Sequence, residues 1–186
     1  GHPSEVGFKD ILPLFKAEKW NPDSLVALYK SIGAQYFFVL GNHHDNFDLW
    51  DSKYQPWNSM NIGPKRDILS EWAAAARKHG LPFGVSLHAD HAWTWYETAQ
   101  RYDRKGDKKG VPYDGCLTLA DGKGKWWEGL DPQQLYAQNH PLSRGSWAGM
   151  LDGQWDWKNG ASIPSEEFCT NFYNRTLDVI NRYNPD

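Results

Sequence analysis

Three histidines follow two short apolar segments of the chain. His43 and His44 come just after the apolar run 36–40, and His88 comes just after a second run, 82–87. Imidazole donates and accepts hydrogen bonds and also ligates metal ions, so these residues suit a polar ligand or an ion. If both runs are parallel strands, their carboxyl ends bring the three histidines to the same edge of a sheet.

Indole rings are abundant near these histidines. The chain has 11 tryptophans among 186 residues. The C–H faces of a sugar ring pack on indole, whereas its hydroxyl groups need hydrogen-bond donors and acceptors. The combination therefore favours a carbohydrate ligand, and the predicted contacts are His43, His44, His88, Trp93 and Trp50.

A metal site is an alternative interpretation of the same region. With Asp45, Asp90 and His91, the histidines resemble the ligand set of a barrel metallohydrolase. On extended backbone, however, neighbouring side chains point to opposite sides, so His43 and His44 are not expected to reach one ion. We therefore predict no metal ligand and no cofactor.

The surrounding periodicity predicts alternating helices and strands. Asn21 is a helix cap followed by proline, and Gly33 ends that helix. Further helices are predicted at 67–79 and 165–182, and strands buried on both faces at 36–40 and 82–87. This order predicts an α/β fold with a parallel sheet. The long connection 89–164 is expected to fold back over the domain and bury its tryptophans.

Composition excludes several classes of protein. With 40% hydrophobic residues, the chain can bury a core and is not disordered. A net charge of −3 with interspersed signs argues against a nucleic-acid partner. The apolar runs are far shorter than the roughly 20 residues of a membrane helix, so no membrane span is expected. Cys116 and Cys169 are compatible with one disulfide or with two thiols.

The sequence around the histidine pair carries a family resemblance. The segments AQYFFVLGNHHD at 34–45, LWDSKY at 49–54 and GPKRD at 63–67 resemble the barrel domain of the α-L-fucosidases of glycoside hydrolase family 29. The similarity runs over about residues 7–88 and resumes over the final helix and residues 183–186. The chain is thus identified as similar to part of that catalytic domain.

The resemblance implies a (β/α)8 TIM-type barrel that removes terminal L-fucose with retention. The family's paired histidines, which match His43 and His44, bind fucose hydroxyls. Its aspartate nucleophile and glutamate acid/base are expected downstream of residue 186, so no catalytic residue is assigned here. Residues 1–186 are then a partial barrel domain with a long inserted loop at about 89–164, completed by the remainder of its own chain.

The second strand departs from the family pattern. Many members have a sugar-contacting tyrosine where this chain has Ser86. Residues two apart on a strand share a face, so Ser86 and His88 are expected to replace that tyrosine together.

The implied partner is a fucosylated glycan, and family analogy implies a secreted, periplasmic or lysosomal location. Alternatives are a catalytically inactive fucose-binding protein and a barrel metallohydrolase.

Overall fold

Two parallel strands lie among three longer helices in the computed structural model, which describes residues 1–144 and 160–186. The strands are β1 (Phe37–Asn42) and β2 (Phe83–Leu87), and the helices are α1 (Phe8–Ile11), α2 (Pro22–Ser31), α3 (Ile68–Lys78), α4 (Ala92–Trp95), α5 (Pro132–Tyr136) and α6 (Glu166–Tyr183). Single turns of 3-10 helix occur at Leu12–Leu14, Ala89–His91, Glu97–Gln100, Asp114–Cys116 and Leu119–Gly122. The predicted long helices and both strands are confirmed.

Each long helix begins at a capping side chain. Asn21, Asp67 and Ser165 each accept a hydrogen bond from the backbone N–H three residues later. These bonds satisfy N–H groups that have no partner within the helix. Cap residues therefore fix where α2, α3 and α6 begin.

A β-bulge interrupts the pairing of the two strands. Leu40 lies opposite Ser86 and Asn42 lies opposite Leu87, so Gly41 is one extra residue on β1. A Cβ atom at Gly41 would lie 2.7 Å from a methyl carbon of Leu87, so a larger residue requires the neighbouring side chains to shift. The bulge turns Asn42 to the same face of the sheet as Leu87.

The long helices gather on that same face. The ring of Phe37 lies 5.8 Å from the ring of Tyr29 in α2 and 5.0 Å from that of Trp72 in α3. On the other face, Phe38 is 63% exposed and Leu40 is 45% exposed. The prediction that the strands are buried on both faces is therefore wrong for the described chain, because α2, α3 and α6 all contribute to the core on one side.

Two hydrophobic clusters stabilise the fold. The first joins the sheet to α2, α3 and α6, and it includes Val26, Leu69, Phe83 and Val179. The second joins the insertion to the segment after β1, and it includes Phe47, Trp57, Tyr96, Trp127 and Leu135. The described part of the insertion, residues 89–144 and 160–164, thus folds back over the domain, as predicted.

The burial of the insertion's tryptophans is only partly as predicted. Trp93 and Trp127 are buried, but Trp95 is 38% exposed and Trp126 is 48% exposed. Trp147, Trp155 and Trp157 lie outside the described residues.

Cys116 and Cys169 are free, exposed thiols. Among the helices described here, none has the length and apolar character needed to cross a membrane.

A buried ion pair connects α6 to the segment after β1. Arg175 donates from Nε to Asp48 Oδ2 at 3.0 Å, and a second guanidinium nitrogen donates to the other carboxylate oxygen. The remaining terminal nitrogen donates to Asn46 Oδ1 at 2.6 Å. Asn42 also donates to Asp48 Oδ1, at 2.8 Å. Burial raises the pKa of the Asp48 carboxyl, and the Arg175 guanidinium opposes that shift.

Replacing Arg175 by methionine tests how much this ion pair contributes to the stability of the fold. Arg175→Met leaves the Asp48 charge buried without its partner, so the free energy of unfolding should fall by about 3–5 kcal/mol in denaturant titrations of the intact protein. The matched control is Lys78→Met, which breaks an exposed pair with Asp23 at 2.8 Å. This control should cost less than about 1 kcal/mol. Equal losses of unfolding free energy in the two variants would contradict the conclusion that the buried ion pair stabilises the fold more than the exposed one.

Candidate functional site

His43 and His44 lie in a tight turn directly after β1. The Asn46 N–H donates to the His43 carbonyl at 3.0 Å, and Asn46 adopts a φ of 63°. Asparagine tolerates this left-handed conformation better than most residues. The two imidazole centroids lie 4.2 Å apart with 21° between their planes. The expectation that these side chains point to opposite sides is therefore wrong, because it assumes extended backbone and the strand ends at Asn42.

His88 joins the pair from the end of β2. Its ring centroid lies 5.3 Å from that of His43 and 6.0 Å from that of His44. Its Nε2 atom lies 2.9 Å from the Oγ atom of Ser86, two residues earlier in the chain. One ring nitrogen from each of the three histidines lies within 4.8 Å of the others. The structure thus brings the three predicted histidines together, and this trio could hold a metal ion.

The Asn42 side chain joins the two histidine segments. Its Oδ1 atom accepts hydrogen bonds from the backbone N–H of His88 at 3.0 Å and from that of Ala89 at 3.1 Å. Its Nδ2 atom donates to Asp48, which Arg175 holds. Because Asn42 and Asp48 are buried, water competes little for these bonds. The backbone at His88 is thus fixed against the end of β1.

His91 and Trp95 extend the cluster. The ring of His44 lies 4.7 Å from that of His91 and 4.8 Å from that of Trp95. Trp95 is partly exposed, so its indole presents apolar surface beside the imidazoles. Trp95 is one of the tryptophans near the histidines in sequence; it follows His91 by four residues, and such residues lie on one side of a helical turn.

The two tryptophans predicted as contacts are buried. Trp50 has no exposed surface and donates from Nε1 to Asp178 of α6 at 3.0 Å. Trp93 stacks on His140 with centroids 3.9 Å apart, and its Nε1 donates to Ser162 at 3.1 Å. Trp93 also borders a cavity of about 700 Å³. Since a side chain without exposed surface has no room for a ligand, Trp50 is corrected to a core residue.

The surroundings of His44 favour the neutral imidazole. Burial lowers the pKa of His44, and the imidazoles of His43, His91 and His88 lower it further. Burial also raises the pKa of the adjacent Asp45 carboxyl. A neutral imidazole carries one N–H donor and one acceptor nitrogen. His44 can therefore both donate to and accept from a hydroxyl group.

Known proteins that are similar to this chain are alpha-L-fucosidases. The Alpha-L-fucosidase family model matches residues 1–186. The tissue alpha-L-fucosidase of Bos taurus is 35% identical over 121 residues, which cover 64% of this chain and 25% of that protein. The alpha-L-fucosidase of Branchiostoma floridae is 37% identical over 122 residues, which cover 64% of this chain and 26% of that protein. The chain thus spans about a quarter of the length of these relatives.

Solved structures show the same fold. The Thermotoga maritima alpha-fucosidase in complex with a mechanism-based inhibitor superposes with a TM-score of 0.54 at 25% identity, over 97% of this chain and 31% of that one. The same enzyme in complex with fucose gives a TM-score of 0.55 at 23% identity, over 97% of this chain and 30% of that one. Because the family model matches every residue, the resemblance noted in the sequence is confirmed, and the chain belongs to the alpha-L-fucosidase family.

Proposed function

We propose that this chain is part of the catalytic domain of a retaining α-L-fucosidase, and that His43, His44 and His88 bind hydroxyl groups of a terminal L-fucose. The observation that carries the proposal is the imidazole cluster at the carboxyl edge of the sheet, in a chain of this family. Open and closed α/β sheets bind their ligands at this edge. The Thermotoga maritima relative has been crystallised with fucose.

The side chains around the cluster suit a sugar. Imidazole nitrogens donate and accept hydrogen bonds, so three rings can bind several neighbouring hydroxyls of one pyranose. The exposed part of Trp95 offers a flat apolar surface for the C–H face of the ring. The Ser86 hydroxyl orients His88 through its bond to Nε2. In the proposed pocket, Trp95 therefore takes the place of Trp50.

The two strands belong, in this proposal, to a (β/α)8 barrel. In such a barrel one face of each strand meets the helices and the other faces the packed interior. Phe38 and Leu40 lie opposite the helix-covered face and are exposed, which suits an interior face that further strands cover. Those strands come from the remainder of the protein's own chain, so residues 1–186 are a partial domain with the insertion 89–164.

Retention needs two carboxyl groups about 5 Å apart, one as nucleophile and one as acid/base. We place the nucleophilic aspartate and the acid/base glutamate in segments outside this chain. The histidines then hold the sugar so that its anomeric carbon faces the nucleophile, and such positioning lowers the barrier. The substrate is a fucosylated glycan. Since such glycans are mostly extracellular, we infer a secreted, periplasmic or lysosomal enzyme.

Hydrolysis of an aryl α-L-fucoside tests this function. The intact protein should release the phenol and form α-L-fucose first, which proton NMR detects as retention. Residues 1–186 alone should release none, because both catalytic carboxyls lie elsewhere. Fucose binding without turnover by the intact protein would indicate the inactive binding protein instead. Turnover by the isolated segment would refute the placement of the nucleophile.

Alanine at His43 or His44 tests the pocket. Each variant of the intact protein should lose about 1–3 kcal/mol of fucose binding, because a buried hydroxyl loses its partner. Calorimetric titration with L-fucose measures this loss. His79→Ala is the matched control, since His79 bonds to Asp23 at 2.9 Å and is absent from the cluster. Unchanged affinity in both pocket variants would remove these histidines from the site.

A further inference from the structure

The imidazole cluster has a second chemical capacity besides hydrogen bonding. From its geometry we propose that His43, His44 and His88 bind one divalent transition-metal ion, such as zinc, and that this ion competes with the sugar. The metal site is inferred from the geometry of the three side chains alone. The competition rests on the proposed function.

The ligand nitrogens are close to the spacing of a bound ion. One nitrogen from each ring lies within 4.8 Å of the other two. Zinc–nitrogen bonds of about 2.0–2.1 Å in a tetrahedron place ligand nitrogens roughly 3.3 Å apart. Small rotations of the His43 and His44 rings would close the difference, since His43 is exposed and His44 is half-buried.

The donor set selects the kind of ion. Three imidazoles without a carboxylate suit zinc, copper or nickel, whereas magnesium and calcium prefer oxygen ligands. Three protein ligands also leave a fourth position of a tetrahedral ion for water. The site is therefore expected to discriminate between zinc and magnesium.

The segments that carry the ligands are held in place before an ion arrives. Asn42 bonds the backbone of His88 to the end of β1, two residues before His44. The Ser86 hydroxyl occupies one ring nitrogen of His88. A hydrogen bond at one nitrogen leaves the lone pair of the other for an ion, and such outer partners fix ring orientation. Little ordering is thus needed on binding.

The proposed metal site and the proposed sugar pocket use the same three histidines. The nitrogens that would ligate zinc are those that accept or donate to fucose hydroxyls. Ion and sugar therefore exclude each other, and zinc acts as a reversible competitive inhibitor.

Calorimetric titration of the intact protein with zinc chloride tests the site, and the visible absorption of bound Co²⁺ gives a second readout. One ion per chain is expected, with no heat from magnesium chloride. His43→Gln should weaken zinc binding at least about tenfold, since even the loss of an outer partner typically costs 10–100-fold. His43 is exposed, so this substitution leaves the packing intact. His88→Gln is the second variant, and His79→Gln is the control.

Equal zinc affinity in His43→Gln, His88→Gln and the control, or no zinc binding at all, would overturn the site. Saturating L-fucose should weaken zinc binding at least tenfold. Zinc affinity that does not change while fucose binds would overturn the competition. If fucose fails to bind while zinc binding still depends on His43 and His88, the metal site stands and the proposed sugar pocket fails.

Discussion

The ion pair between Asp48 and Arg175 is the interaction on which the site depends. It joins the segment after β1 to α6, and both side chains are almost completely buried. The same carboxylate holds Asn42, whose amide oxygen fixes the backbone at His88. One buried charge therefore serves two purposes, since it docks the last helix and sets the separation of the histidine segments. Stability and site geometry are coupled through it.

Most of the architecture follows from local signals. Asn21, Asp67 and Ser165 mark helix starts in the sequence because capping depends on a few neighbouring residues. Helix and strand alternation then fixes a parallel sheet, and parallel strands bring His43 and His88 to one edge. The clustering of the histidines was predictable because it depends only on strand order and direction.

The remaining details depend on contacts between residues distant in sequence. The turn that stacks His43 on His44 needs a left-handed residue at Asn46, and Arg175 bonds to that asparagine from α6. Trp50 is buried because Asp178 accepts its N–H, whereas Trp95 stays exposed. Residue type alone does not separate a core tryptophan from a ligand-facing one.

The bulge at Gly41 determines the side to which the following residues point. If Gly41 lay opposite Leu87 in strict alternation, Asn42 would turn to the face of Leu40, away from Asp48. Side chains beyond it would change sides as well. The surface segment 102–112, whose ends are joined by the Tyr102–Pro112 bridge, does not determine the direction of side chains in the sheet. Its length can therefore vary. Insertions and deletions are therefore expected to accumulate in this surface segment, while the pairing around the bulge before the histidine turn is retained.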